Sequence, residues 1–236
     1  QNHGKHHLHG GKYQLSNVAW NFENYNDETN TLNFSYVSKA NEFYPGDVTI
    51  EVAYTLTDEN ELNINYKATT TEDTLLNLTN HAYFNLDGIS GNTLDQKLQI
   101  NAEKFLELDA ENIPTGNFIP MENHAFDFRS SKNVVAGIDH CFVLKNNTEP
   151  AAILESVKNG VTMKVYTDQP AVQIYVGGKT SDELQNKESV EYHTESGICF
   201  ETQVFPDAPN HEDFPNAILR KGETYQQNTT FQFIIS

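Results

Sequence analysis

Val48-Thr49-Ile50-Glu51-Val52-Ala53-Tyr54-Thr55-Leu56 alternates apolar with polar or small residues over nine positions. Successive side chains of a strand point to opposite faces. This period of two therefore reads as a strand burying Val48, Ile50, Val52, Tyr54 and Leu56. After the turn residues Asp58-Glu59-Asn60 the alternation resumes at Leu62, Ile64 and Tyr66, which makes the pair a hairpin. Val161, Met163 and Val165 follow Asn159-Gly160, a strong hairpin signal. Lys221-Gly222 turns the chain into a further strand around Phe231 and Phe233. No stretch of a dozen residues holds a capped 3.6-residue period, and no internal repeat is visible. Short strands separated by turns predict an all-β sandwich or barrel of mostly antiparallel strands. Gln203 to Asn216 breaks the pattern with Pro206, Pro209 and Pro215 among acidic and amide residues. It reads as a long ordered loop over a sheet, and such loops often carry function. With no linker and no low-complexity tract, residues 1–236 are expected to form one domain.

A chain of 236 residues can bury a substantial core, and its 14 Phe and 11 Tyr supply large burial per residue. Acidic residues number 33 against 15 basic, a formal net charge of −18. Such a surface repels phosphate backbones and anionic headgroups, so neither nucleic acid nor a membrane is an expected partner. No apolar run is long enough to span a bilayer as a helix. No basic-then-apolar leader is visible, so any targeting segment has been removed or was never included; the expected compartment is the cytoplasm, with the periplasm or secretion as the alternatives. Cys141 and Cys199 sit in the apolar strings His-Cys-Phe-Val-Leu and Gly-Ile-Cys-Phe-Glu. They read as buried, reduced core residues, with a disulfide as the alternative.

Four polar constellations stand out. His3, His6, His7 and His9 crowd the glycine-rich opening, as a metal site, a solvated or tag-like segment, or a substrate contact. His81 lies within Leu78-Thr79-Asn80-His81-Ala82-Tyr83-Phe84-Asn85-Leu86, either as a satisfied core residue or as an imidazole held in one protonation state. Gly137-Ile138-Asp139-His140 sets a carboxylate and an imidazole beside a strand, where exposed loop charge is the plain alternative. Glu201 stands in the apolar strand Gly197-Ile198-Cys199-Phe200-Glu201-Thr202-Gln203. A carboxylate there is costly unless paired or used, and burial raises its pKa toward that of a useful base.

Together these strings resemble the aldose 1-epimerase family. Leu-His-Gly-Gly at 8–11, Asn-Leu-Thr-Asn-His-x-Tyr-Phe-Asn-Leu at 77–86 and Ile-Pro-Thr-Gly at 113–116 carry the likeness. So do Phe-Asp-Phe-Arg at 126–129, Gly-x-Asp-His at 137–140, Gln-Pro-x-x-Gln-x-Tyr at 169–175 and Glu-Thr-Gln-x-x-Pro-Asp-Ala at 201–208. Seven motifs in the family's order are far more specific than any one. The resemblance implies a galactose mutarotase-like β-supersandwich and the interconversion of α and β anomers of free aldohexoses. It places the general base at Glu201, the general acid at His81 and a second histidine near the anomeric oxygens at His9. Asp139 and Gln173 match sugar contacts, and Tyr83 would pack against or orient the sugar. It implies no cofactor and no metal, since mutarotation only moves protons.

The resemblance begins part-way into the family's pattern. The family's first strands, with a substrate-binding arginine, would lie upstream of Gln1, so the expected partner besides the sugar is that segment or another copy of the chain. The 236 residues alone are then expected to be a poor mutarotase. Lys12-Tyr13-Gln14-Leu15-Ser16-Asn17 before Trp20 and Val176-Gly177-Gly178 after Tyr175 depart from the family, and bear on sugar preference rather than on the reaction. The rival readings are a non-catalytic sugar-binding module, a hexose-6-phosphate epimerase, for which positive charge is thin, and a two-carboxylate glycoside hydrolase, which would leave the histidines unexplained.

Overall fold

The computed structural model describes residues 1–11, 14–40, 42, 44–89, 91–145, 148–177, 189 and 191–235. Lys12, Tyr13 and Gly178 lie outside the described residues. Among the described residues sixteen strands follow in chain order: β1 Asn21–Asn26, β2 Thr31–Ser38, β3 Val48–Leu56, β4 Glu61–Thr70, β5 Thr74–Leu75, β6 Lys97–Ile100, β7 Ala102–Leu108 and β8 Pro114–Pro120. The rest are β9 Lys132–Asn133, β10 Asp139–Leu144, β11 Ala152–Glu155, β12 Val161–Thr167, β13 Ala171–Gly177, β14 Gly197–Gln203, β15 Ile218–Leu219 and β16 Tyr225–Ile235. Among the described residues the helical content is three short 3-10 turns, and no helix is long and apolar enough to cross a membrane.

The chain divides into two compact units, the first formed by residues 1–58, 62–77 and 217–228, the second by 59–61, 78–216 and 229–236. In the first, β1 to β4 form an antiparallel meander. The quoted alternation becomes β3, where Val48, Ile50 and Val52 are buried while Thr49 and Glu51 face out. Its partner β4 runs Thr70 opposite Val48 through to Leu62 opposite Leu56. Leu56 itself is exposed, because burial fades toward the hairpin end. Phe22, Phe34 and Tyr54 stack edge to face across β1, β2 and β3 at 5.7 and 6.2 Å. The Lys221-Gly222 turn, with Gly222 at φ +88°, leads from β15 into β16 as its sequence predicts.

Gly46, just before β3, has φ +77°, and an added Cβ would stand 2.7 Å from Thr70 Oγ1 and 2.9 Å from the Glu72 backbone nitrogen. Left-handed backbone costs an ordinary residue about 1–2 kcal/mol before any clash. Gly46→Ala should therefore destabilise the protein by about 2 kcal/mol or more, read as a lower urea midpoint at constant slope. An unchanged midpoint would contradict it.

The second unit carries two antiparallel sheets. One pairs β9-β6-β11-β12 with the last residues of β16. The other has the order β14-β13-β10-β7-β8. The β11–β12 hairpin exists as Asn159-Gly160 predicts, but its loop spans Ser156 to Gly160 rather than two residues. Ser156 Oγ accepts from the Lys158 and Asn159 amides, each at 3.2 Å, and Asn159 Nδ2 donates to the Leu86 carbonyl at 2.6 Å. Phe84 lies 4.8 Å from Phe231 on β16 and 6.2 Å from Phe200 on β14, ring to ring, and so links the sheets. Phe105, Phe128, Phe142, Phe200 and Phe231 are all but fully buried. The proline-rich segment lies over the sheet as an ordered loop packed on β8. Its Phe205 and Phe214 stack on each other at 5.1 Å and on Phe118 of β8 at 6.2 and 6.0 Å.

Candidate active site

Register in the second sheet assembles the site. Across β14, β13 and β10, Glu201 stands opposite Gln173 and Gln173 opposite Cys141. One step along, Cys199 stands opposite Tyr175 and Tyr175 opposite Asp139. Opposed residues share a face, and so do residues two apart in one strand. Cys199, Glu201, Gln173, Tyr175 and Asp139 thus share one face, while Phe200, Ile174 and His140 take the other. Gln173 Nε2 donates to Asp139 Oδ1 at 2.6 Å, which fixes an amide and a carboxylate side by side at the exposed end of this face.

The segment bearing His81 has no ladder of its own. It is pinned three residues later, where Phe84 and Ile198 exchange backbone hydrogen bonds of 2.9 Å in both directions. Asn85 then ties the neighbouring loops together. Its Nδ2 donates to the carbonyls of Gly91 and Ser196 at 2.8 and 3.0 Å. Its Oδ1 accepts from Asp87 N at 3.0 Å and from the fully buried Gln96 Nε2 at 2.7 Å. Gly197 makes room for Tyr83, since a Cβ there would stand 2.8 Å from the Tyr83 Cβ.

This anchoring brings His81 onto the face of β14. Its Nε2 lies 3.3 Å from Glu201 Oε1, and its Nδ1 lies 3.4 Å from Cys199 Sγ. The Glu201 side chain is only 9% exposed against 31% for His81, so the pair has a dry end and a wet end. Burial, reinforced by the Asp139 carboxylate, pushes Glu201 up to about 8. The Tyr83 and Tyr175 rings flank His81 at 5.2 and 6.1 Å. Burial, with nearby Cys199, Tyr175 and Glu201, pushes the Tyr83 phenol up to about 12, so it remains a neutral donor.

Of the residues singled out from sequence, Glu201, His81, Asp139, Gln173 and Tyr83 all fall within the second unit on this arrangement. His9 belongs to the first unit, exposed, with φ +54°. Among the described residues the leading histidines do not form a metal-ligand group. His7 Nδ1 instead lies 3.2 Å from the Tyr44 hydroxyl. His140 points away from the site, packed against Phe105 and Phe126 at 5.3 and 4.9 Å, and burial lowers its pKa. Arg129 clasps Asp127 through Nε and Nη2 at 2.9 and 2.8 Å, so that motif braces a turn. Both cysteines are free and buried, as their apolar strings imply. Sequence reading treated Cys199 only as core. It also left Tyr175 and Asn85 without roles, although both lie within the quoted motifs.

The sequence profile of the family described as Aldose 1-epimerase matches residues 1–232. The chain belongs to the aldose 1-epimerase family. It is 39% identical to the galactose mutarotase of Mus musculus over 97% of this chain and 69% of that protein. To the aldose 1-epimerase of Escherichia coli K12 it is 34% identical over 98% of this chain and 71% of that one. Among solved structures it is similar to an aldose epimerase homologue from C. elegans, with TM-score 0.90 and 32% identity over 99% of this chain and 74% of that one. It is also similar to a galactose 1-epimerase from Lactobacillus acidophilus, with TM-score 0.87 and 28% identity over 100% and 72% of the two chains. The fold is galactose mutarotase-like, and the family's members are isomerases acting on sugars.

Proposed function

We propose that this chain interconverts the α and β anomers of free aldohexoses, galactose and glucose among them, with Glu201 and His81 as the proton-transfer pair. The observation that carries the reading is the contact of 3.3 Å between the Glu201 carboxyl and the His81 imidazole, on a face that also presents Asp139 and Gln173. The two oxygens that exchange protons in mutarotation are bonded to the same carbon, so acid and base must converge. The Glu201 carboxylate takes the proton of the anomeric hydroxyl while protonated His81 gives one to the ring oxygen. The C1–O5 bond breaks toward O5, leaving the open aldehyde. Rotation about C1–C2 presents the other carbonyl face. The ring closes as His81 retrieves its proton from O5 and Glu201 returns one to the carbonyl oxygen. A carboxyl titrating near neutrality suits this task, because it both takes and returns a proton.

In this reading Asp139 accepts from sugar hydroxyls, Gln173 donates and accepts beside it, and Tyr83 packs against the ring. His9 is proposed as a further contact near the anomeric oxygens on the family motif alone. Polarimetry of freshly dissolved α-galactose and α-glucose, beside an assay for glycosidic cleavage, tests the proposal. Accelerated mutarotation without cleavage is expected. Cleavage, or no acceleration of either sugar, would overturn it.

The geometry also predicts a variant that touches no reacting atom. Gly197→Ala should displace Tyr83 and disturb the adjoining Phe84–Ile198 bridge, shifting His81 on β14. Misplacing a catalytic group by about 1 Å can cost roughly 100-fold. We expect a fall in kcat of about tenfold or more with the far-ultraviolet dichroism retained. Unaltered kcat would show that Tyr83 does not help to place His81.

A further inference from the structure

The geometry points to a soft-metal site at Cys199, His81 and Glu201, where a divalent cation of the zinc class binds reversibly and blocks the proposed proton-transfer pair. The inference rests on the reading of Glu201 and His81 given above. One donor atom from each of the three residues lies within 4.8 Å of the other two. Zinc takes sulfur at about 2.3 Å and nitrogen or oxygen at about 2.0–2.2 Å, so tetrahedral donors stand roughly 3.3–3.7 Å apart. Bringing a spread of up to 4.8 Å into that range takes relative movement of about 1–1.5 Å. The donors are also held in advance of any metal. Cys199 and Glu201 are two apart on β14, and the Phe84–Ile198 bridge ties the His81 segment to the same strand.

The donor set is mixed: a thiol, an imidazole and a carboxyl. Sulfur and nitrogen select zinc-class ions over magnesium or calcium, which favour all-oxygen shells. Three protein ligands leave a fourth position for water or a sugar hydroxyl. His81, its side chain about a third exposed, gives the entry path, and a chain of net charge −18 attracts cations. As the metal–sulfur bond forms, the Cys199 thiol releases its proton to the buffer, and any proton on Glu201 leaves with it. One imidazole nitrogen and one Glu201 oxygen then hold metal instead of moving protons. The cation is therefore an inhibitor here, with no part in the reaction.

Cobalt(II) titrated into the full chain is the direct probe, because a cobalt–thiolate bond gives charge-transfer absorption in the near ultraviolet. That band is expected in the parent chain and lost in Cys199→Ser, which keeps Cys141. Cobalt held by the leading histidines gives no such band. In His81→Asn the band should need at least about tenfold more cobalt, since even outer-shell losses cost 10–100-fold. Zinc should stop mutarotation, a chelator should restore it, and Cys199→Ser should need at least about tenfold more zinc for half inhibition. Absence of the thiolate band from the parent chain overturns the inference, as does equal zinc inhibition of the parent and Cys199→Ser. A chain that shows the band but no mutarotation in chelator overturns the proposed function and leaves the metal site standing.

Discussion

Glu201→Gln and His81→Asn are each expected to slow galactose mutarotation by at least about 100-fold, while galactose affinity changes less than about tenfold. Glutamine and asparagine keep much of the shape and polarity of the originals but neither takes up nor gives up a proton at neutral pH. A well-placed acid or base contributes about 10²–10⁴-fold. Binding should be spared because the sugar hydroxyls are proposed to be held by Asp139 and Gln173, joined at 2.6 Å, rather than by the pair. In the proposed mechanism the two residues act in one step, so their losses should not multiply. The double variant is expected to be about as slow as the slower single one. Multiplying losses would mean that the residues act in separate steps. The acid limb of the pH profile of kcat/KM should belong to Glu201, the base of the proposed pair. With the free Glu201 carboxyl near 8, roughly a tenth of it is ionised at pH 7. Activity should therefore rise with pH through neutrality. Near-normal turnover in either single variant would sink the mechanism.

How much of this was legible beforehand differs from element to element, for physical reasons. The β3–β4 hairpin could be read because one of its faces is wet, so burial is written into the sequence as a period of two. β14 could not be read in that way. Six of its seven residues are buried, and its apolar run carries no face at all. Glu201 was found there only because a carboxylate in such a run is anomalous. That it shares a face with Asp139 depends on two interstrand registers between segments tens of residues apart, which no local pattern encodes. The Asn159-Gly160 signal gave the hairpin but not its five-residue loop, in which the Ser156 hydroxyl adds side-chain hydrogen bonds to the backbone ones and Asn159 ties the loop to Leu86. Cys199 was half read. It is buried in the core, yet its sulfur reaches an imidazole delivered from 118 residues away. The Gln203 to Asn216 segment looked like a functional loop because of its prolines, while its two buried phenylalanines, too far apart for any period, went unweighed.

Glu201→Gln should also stabilise the protein, by an amount that grows with pH. The carboxyl titrates near 4.5 when unfolded and is pushed up to about 8 by burial and by Asp139 when folded. Between those values the folded state holds the proton that the unfolded state has lost. Stability therefore falls as pH rises through this window. The loss is absent below about 4.5 and complete above about 8. At roughly 1.4 kcal/mol for each pH unit of the window, it reaches on the order of 4–5 kcal/mol. The groups facing Glu201 are Asp139, His81, Cys141, Cys199 and the two tyrosines, and all are retained in the variant. Glutamine cannot ionise, so it escapes the loss. Urea unfolding in chelator-containing buffer should show the proteins nearly matched at pH 5 and the variant ahead by several kcal/mol at pH 8.5. A gain independent of pH would mean that the folded carboxyl titrates where the unfolded one does. It would then be an ordinary surface-like acid, and the argument that burial fits it for proton exchange at neutral pH would fall with it.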